Sequence, residues 1–484
     1  MSRPEPNRWA VLALLGVAQL MVVLDATIVN IALPSAQQAL HFSTDSRQWV
    51  ITAYALAFGS LLLLGGKLGD LFGRKWTFIA GLIGFSGASA LGGLAQSFAM
   101  LVGARALQGA FGALLAPSAL SLLTVTFAGS PDRAKAFGIF GAIAGGGASL
   151  GLLLGGLLTE VLSWRWCLYV NVLIAIPTAV MALRILQNQV HPERPRIDIP
   201  GVLTASGGLF ALVYGFSSAE TSSWSDPVTI VALAASVVLL LGFVLVESRA
   251  AHPLLPLHIV RDRARGGAYA SIALAGGGVF GVFLFLTYYM QESLGFSPLK
   301  TGVAFLPMTI AIVVTSTTVQ TQLLHRFGTR RLVAGGMTLG ILAMISFTRL
   351  HPGGSYVSDV LPGLIVIGLG MGCIFAPAFG TATLGVQTNE AGVASAMVNT
   401  SQQVGGSVGT AVLSTIFASA AASYAAGHAR TPGLGNAAAI HGYTTAFWWA
   451  AGVFAIGLLV ALTVIPSGSA TRAPVGAGAA EVAT

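Results

Sequence analysis

Asp25 stands where a membrane-borne chemistry would need an acid. It lies inside the apolar run 9–33 and is the one acid well inside any apolar run of the chain. The others, among them Glu160, Glu292 and Glu390, fall in loops or at run ends. At 1.5 Å per residue Asp25 stands about 24 Å from the start of its helix. An ionisable group at that depth costs at least about 2.5–3.5 kcal/mol, so it must face protein or water and is a candidate for binding protons or cations. The alternative is a structural partner for a polar neighbour. Arg105, Gln108, Gly109 and Gly112 recur at i, i+3, i+4 and i+7 and share one helix face. The glycines would clear space beside the charge, and Arg105 would be the electrostatic partner of Asp25. An arginine reaching outward to water is the competing reading.

Three further groupings invite a role. The segment Gly66-Lys-Leu-Gly-Asp70-Leu-Phe-Gly73-Arg74-Lys75 packs opposite charges and a close-approach glycine into a tight connection. Asp70 could accept hydrogen bonds from a neighbouring helix N-terminus; an ordinary basic loop would look the same. Gly147, Gly151, Gly155 and Gly156 form a small-residue stripe suited to tight helix packing. Thr27 and Asn30, with Asn399, Gln402 and Gln403 in a polar run near mid-membrane, are candidates for lining a cavity.

The elements that must position these residues are membrane helices. Of 484 residues, 55% are hydrophobic and 8% charged, against about 25% charged in a soluble chain. Apolar runs fall at about 9–33, 49–66, 77–95, 98–127, 134–160, 164–186, 199–217, 227–247, 267–290, 299–323, 331–350, 360–383, 391–417 and 443–465, fourteen in all. The first resembles a signal peptide in its basic start but is too long for one. The longest loop would be 418–442, and a disordered cytoplasmic tail would follow at 466–484. With both termini in the cytoplasm, eighteen of the 24 Lys and Arg fall inside, five outside and Arg105 within a helix, as the positive-inside rule requires.

A weak repeat links the two ends of the chain. Phe72-Gly73-Arg74-Lys75 is echoed by Phe327-Gly328-Thr329-Arg330-Arg331, and Gly112–Pro117 by Gly372–Pro377, each eight runs apart. Two six-helix halves, 1–186 and 267–465, separated by a linker with two extra helices at 187–266, produce that offset, and parallel six-helix repeats are a transporter plan.

Other classes find little support. The net charge of +8 is spread over short loops, so nucleic acid is not expected as a partner. Cys167 and Cys373 both sit in apolar runs, which argues against a disulfide framework. No G-x-x-x-x-G-K-[ST] loop occurs, so ATP-driven pumping by this chain is not expected. No metal, cofactor or enzyme constellation stands out. The expected partners are the lipid bilayer, protons and small lipophilic substrates, and an accessory subunit stays open.

Together these segments resemble the major facilitator superfamily, in particular its fourteen-helix drug:proton antiporters of the EmrB/QacA type. Leu24-Asp25-Ala-Thr27-Ile-Val-Asn30-Ile-Ala-Leu-Pro34 is similar to that family's first-helix motif, 66–75 to its signature loop, 101–113 to its fourth-helix motif, and Trp164-Arg165-Trp166 with Asn171 to the start of its sixth helix. The resemblance implies an all-α major facilitator fold and antiport, read here as export of lipophilic small molecules against protons; the single deep acid, Asp25, points to monocationic ones. Asp25 and Arg105 would couple the proton, and the 66–75 loop would latch one conformation. Export of one antibiotic or metabolite for self-resistance is the alternative within transport; a sensor or channel on a degenerate transporter fold is the alternative outside it. Two family prolines are replaced, by Leu152 and Leu173. Without the first, the fifth helix is expected to run straighter.

Overall fold

The computed structural model describes residues 7–42, 46, 48–187, 197–428 and 433–467. It is all-helical. The helices are α1 Arg8–Leu40, α2 Gln48–Phe72, α3 Arg74–Gly93, α4 Phe98–Thr126, α5 Arg133–Val161, α6 Trp166–Ile185, α7 Ile199–Thr221, α8 Pro227–Glu247, the short α9 Leu257–Arg261, α10 Arg263–Tyr288, α11 Pro298–Ala304, α12 Leu306–Thr318, α13 Leu324–Phe347, α14 Leu361–Ala382, α15 Ala391–Gly427 and α16 Leu434–Thr463. Among the described residues twelve spans are long and apolar enough to cross a membrane, and α5 makes thirteen. The tail expected at 466–484 falls almost wholly outside the described residues.

Most of the expected runs are helices, with one large correction. The loop expected at 418–442 is mostly helical, because α15 continues to Gly427 and α16 begins at Leu434. Residues 418–427 are small and carry Ser419, Ser423 and Tyr424, which suggested a loop, but they are rich in alanine, the strongest helix former. Likewise α1 passes Pro34 and ends only at Leu40, with His41 left-handed at its C-cap.

Packing follows two groups. α1 lies against α4, α5 and α6, and α4 against α2 and α3; α10 lies against α14, α15 and α16, and α14 against α12 and α13. α5 meets α11, α12 and α14, while α2 and α4 meet α15. α7 and α8 pair with each other, and α7 also touches α2 and α15. Only a narrow stripe of α8 is buried, Thr229, Ser236, Phe243 and Glu247. The rest is bare aliphatic surface such as Val231 and Val238 at 67% and 69% exposure, which a water-facing protein would not carry over so many helices.

Two glycine turns recur at corresponding places. Gly73 (φ +92°) separates α2 from α3. Gly328 (φ +73°, ψ 164°) breaks α13 near its start. Side chains with a Cβ rarely adopt either geometry, so glycine is needed at both.

The bend in α5 contradicts the straight helix expected from Leu152. The axis turns by 43° between Arg133–Ala148 and Leu150–Val161. Glycines 145–147 precede the break and Gly151 follows it, so little side-chain bulk braces the helix there. Glycine-rich segments can kink a helix without proline.

Candidate functional site

Asp25 is completely buried, and four helices converge on it. Arg105 Nη1 on α4 donates to Asp25 Oδ2 at 2.6 Å. The Asp25 Oδ1 atom accepts from Gln108 Nε2 at 3.0 Å and from Asn171 Nδ2 on α6 at 2.7 Å. Arg105 is held in turn: its Nε donates to the Val50 carbonyl on α2 at 3.2 Å, its Nη1 to Gln108 Oε1 at 2.8 Å, and its guanidinium lies 4.4 Å from the Tyr54 ring centre. Gln108 Nε2 also donates to Ser89 Oγ on α3 at 2.7 Å. A lone buried charge would be untenable; here the carboxylate has three charge- or dipole-bearing donors.

The expected face of α4 is real, and the outward-reaching alternative for Arg105 is excluded in this conformation. The glycines do something else than expected. A Cβ on Gly109 would strike the Tyr54 carbonyl, and one on Gly112 would crowd Phe58 at 3.1 Å. They bring the backbone of α2 close enough for the Val50 carbonyl to reach Arg105, and they do not clear an open space around the charge. Asn171, Ser89, Tyr54 and the Val50 carbonyl were not among the expected site residues. Asn171 lies in the motif whose resemblance was noted; nothing in the sequence pointed to the others.

The stripe on α5 is divided between two neighbours. Cβ atoms on Gly147, Gly151 and Gly155 would collide with Val23, with Thr27 and Leu24, and with Ile28, all on α1. Gly138, Gly141, Gly145, Gly146 and Gly156 face Gln320, Ala376, Ile312, Thr309 and Leu299 instead, on the helices after α10. Thr27 is thus wedged against α5, its hydroxyl turned back to the Val23 and Leu24 carbonyls at 3.2 Å. The side chain of Asn30 lies outside the described residues. Asn399 is buried and donates to the Ser395 carbonyl. Gln403 packs on Gly59 of α2, and the Gln402 backbone lies against Gly276 of α10.

The 66–75 segment ties the end of the molecule at which α1 begins. Asp70 Oδ1 accepts from the Gly392 N–H at 3.0 Å and Oδ2 from the Val393 N–H at 3.3 Å, both in the first turn of α15. An acid at a helix N-terminus completes the free N–H groups there and meets the positive end of the helix dipole. Arg74 pairs with Asp70 at 2.7 Å and also donates to the Thr388 carbonyl. Gly66 lets α2 close on Gly392 and Ala396. Lys75 takes no part; its ammonium donates to the Leu183 carbonyl at the end of α6. Two ties at this end were not foreseen: Arg133 on α5 donates to Thr383 after α14 at 3.1 Å, and Lys67 to the Pro253 carbonyl at 2.9 Å.

A bundle of apolar helices around a buried acid–base pair, fastened at one end between its first and second groups of helices, defines a multi-pass membrane transporter. Residues 15–410 match the Major Facilitator Superfamily, and the chain belongs to that superfamily. It is 48% identical over 467 residues to the puromycin resistance protein pur8 of Streptomyces alboniger, covering 96% of this chain and 92% of that one. It is 40% identical over 408 residues to the cephamycin export protein CmcT of Amycolatopsis lactamdurans, covering 84% of each. The human organic anion transporter MFSD10 shares the fold, with a TM-score of 0.65 at 14% identity over 94% of this chain and all of that one. The chain is an efflux-type transporter and not an enzyme.

Proposed function

We propose that this protein is a proton-coupled antiporter that exports lipophilic small molecules, monocations best, across the plasma membrane. The observation that carries the reading is the Asp25–Arg105 pair, sealed at 0% and 2% exposure inside a transporter. Protonating Asp25 discharges half of a buried pair, so the network has two distinct electrostatic states. A conformation that differs in access to Asp25 is thereby linked to the proton.

In this reading the chain crosses the membrane fourteen times. The span Leu299–Phe347 has 49 residues, about 73 Å as one helix and over twice the hydrocarbon thickness. Gly328 breaks it into two crossings. Residues 1–186 and 267–465 are two six-helix halves that alternate access, and 187–266 carries the inserted pair α7 and α8. The excess of Lys and Arg on one side supports both termini, and the Asp70 latch, lying in the cytoplasm.

The breadth of substrates has a second reading. Relatives named for puromycin and for cephamycin favour an exporter dedicated to one antibiotic. Proteoliposomes with an imposed pH gradient and a chemically diverse panel decide between them: one strongly preferred compound means a dedicated exporter, several mutually competing ones a multidrug pump. Asp25→Asn should abolish uphill export and leave insertion intact. Accumulation by that variant at the wild-type level would overturn proton coupling at Asp25. A sustained ion current on adding substrate would favour a channel.

A further inference from the structure

Asn171 sits against the carboxylate with its side-chain oxygen idle. Its Nδ2 donates to Asp25 Oδ1 at 2.7 Å, whereas its Oδ1 is buried and accepts no hydrogen bond among the described residues. The residue is itself 0% exposed. A buried amide with one free end usually needs an explanation.

The neighbouring amide, Gln108, is fixed at both ends. Its Oε1 accepts from Arg105, and its Nε2 donates to both Asp25 and Ser89. Inverting Gln108 would put its oxygen against Asp25 and its NH₂ against the guanidinium. Inverting Asn171 breaks only the bond to Asp25. An amide presents an acceptor and a two-proton donor of nearly the same shape at the ends of one plane. Its inversion therefore exchanges a donor for an acceptor at Asp25 Oδ1 with little change in packing.

We infer that Asn171 is a reversible positioning residue for the proton site, donating to Asp25 when the acid is ionised and, after its amide inverts, accepting from Asp25 when the acid is protonated. This rests on the reading of Asp25 as the proton-carrying group. When Oδ1 takes a proton, the new O–H needs an acceptor. The atoms that face it from Arg105 and from Gln108 Nε2 are donors, so the inverted Asn171 Oδ1 supplies that acceptor. The proton stays on Asp25 and no covalent bond of Asn171 is made or broken; one hydrogen bond is exchanged for another. The other titratable side chains that feel the Asp25 charge are Tyr54 on α2 and Cys167 on α6. α3 contributes Ser89 through Gln108, and α5 meets α1 with glycines.

The inference separates Asn171 from a plain donor. A plain donor favours only the ionised acid, by about the worth of one hydrogen bond to a charged group. Removing it would move the pH of half-maximal export up by about one unit or more. A residue that serves both states leaves that midpoint within about half a unit when it is removed.

The experiment uses the full chain in lipid, labelled with ¹⁵N-asparagine, and records infrared difference spectra between acidic and neutral pH. The expected result is a carboxyl band that is lost in Asp25→Asn, together with a side-chain amide band that shifts on ¹⁵N labelling and is lost in Asn171→Ser. In transport, Asn171→Ala should keep its pH midpoint within about half a unit of the wild type. Asn171→Ser, whose hydroxyl can turn to donate or accept, should export better than Asn171→Ala. A carboxyl band without the amide band, or a midpoint raised by about a unit or more in Asn171→Ala, would overturn the role of Asn171 and leave Asp25 in place. Absence of the carboxyl band would remove both. The wild-type and Asn171→Ser spectra decide even where Asn171→Ala fails to fold.

Discussion

Asp70 and Gly392 are 322 residues apart in sequence, yet the carboxylate of one closes the first turn of the helix that holds the other, at 3.0 Å. A contact that joins the first and second groups of helices through two backbone N–H groups is easily lost if the groups separate. It shares no hydrogen bond with the buried pair.

That geometry makes Asp70 a residue of populations. Asp70→Asn removes the charge facing Arg74 and the α15 N-terminus. It should lower turnover about tenfold, which corresponds to ~1.4 kcal/mol. Gly73→Leu should do the same by straining a turn at φ +92°. Substrate affinity should change less than about twofold in either. Equal losses of binding and turnover, measured by equilibrium binding and vesicle flux, would assign the loop to the substrate site.

Arg105 should not tolerate lysine. Its Nε and Nη1 reach Val50, Asp25 and Gln108 while the plane stacks on Tyr54, and an ammonium has no such fork. Arg105→Lys should retain less than about a tenth of wild-type uphill export. Arg105→Ala should also destabilise the protein by about 3–5 kcal/mol, because it strands a buried carboxylate. Adding Asp25→Asn to Arg105→Ala should restore much of the thermal stability and none of the transport. Failure of the pair to recover in a thermal unfolding assay would mean that packing, not the stranded charge, sets the loss.

On α5 the two neighbouring positions 151 and 152 should respond in opposite degree. A side chain at Gly151 would run into the Thr27 hydroxyl and the Leu24 carbonyl, so Gly151→Leu should abolish folding or transport. Leu152→Pro removes one backbone N–H in a helix already bent by 43°. It should cost less than the ~3 kcal/mol of a proline in a straight helix. Yield and unfolding temperature in detergent check both, and a harsher effect of Leu152→Pro would contradict the packing seen at Gly151.

Substrate charge follows from one deep acid. With one proton taken in per molecule exported, a monocation exchanges without net charge movement. Its export should survive collapse of the membrane potential and stop when the pH gradient is collapsed. One pH unit gives ~1.4 kcal/mol, about tenfold accumulation. A dication would carry one net charge outward at about 2.3 kcal/mol per 100 mV, so it should be exported poorly. Comparable proton-driven export of a rigid dication in vesicles would require a second acid.

The sequence disclosed Asp25 and Arg105 for a specific reason. A charge inside an apolar run is conspicuous, and helical spacing places Gln108 beside the arginine. It disclosed less where neutral groups act across helices. Asn171 stood in a sixth-helix motif, but its bond to Asp25, like the place of Ser89, shows only in tertiary contact, and a backbone carbonyl such as that of Val50 leaves no trace in a sequence. Hydropathy also misjudged the alanine-rich end of α15, since propensity and packing extend a helix beyond its apolar part. For α5, attention to the missing proline obscured the glycines, which permit the bend without it. Lys75 shows the opposite error: adjacency to Arg74 suggested a shared task, but consecutive residues on a helix point in different directions.

The face that α5 turns to the second group of helices is nearly bare. Gly138, Gly141, Gly145, Gly146 and Gly156 oppose Gln320, Ala376, Ile312, Thr309 and Leu299. Side chains that interlock must change rotamer before two helices can slide; this row of glycines adds no such interlock, and the bond from the Thr309 hydroxyl to the Gly146 carbonyl is a long one, at 3.4 Å. This seam is a bearing, whereas the Asp70 end is a bolt. If the two groups of helices slide past one another in a transport cycle, the hydrogen bonds of the Asp70 end must break, whereas the glycine seam need only shift.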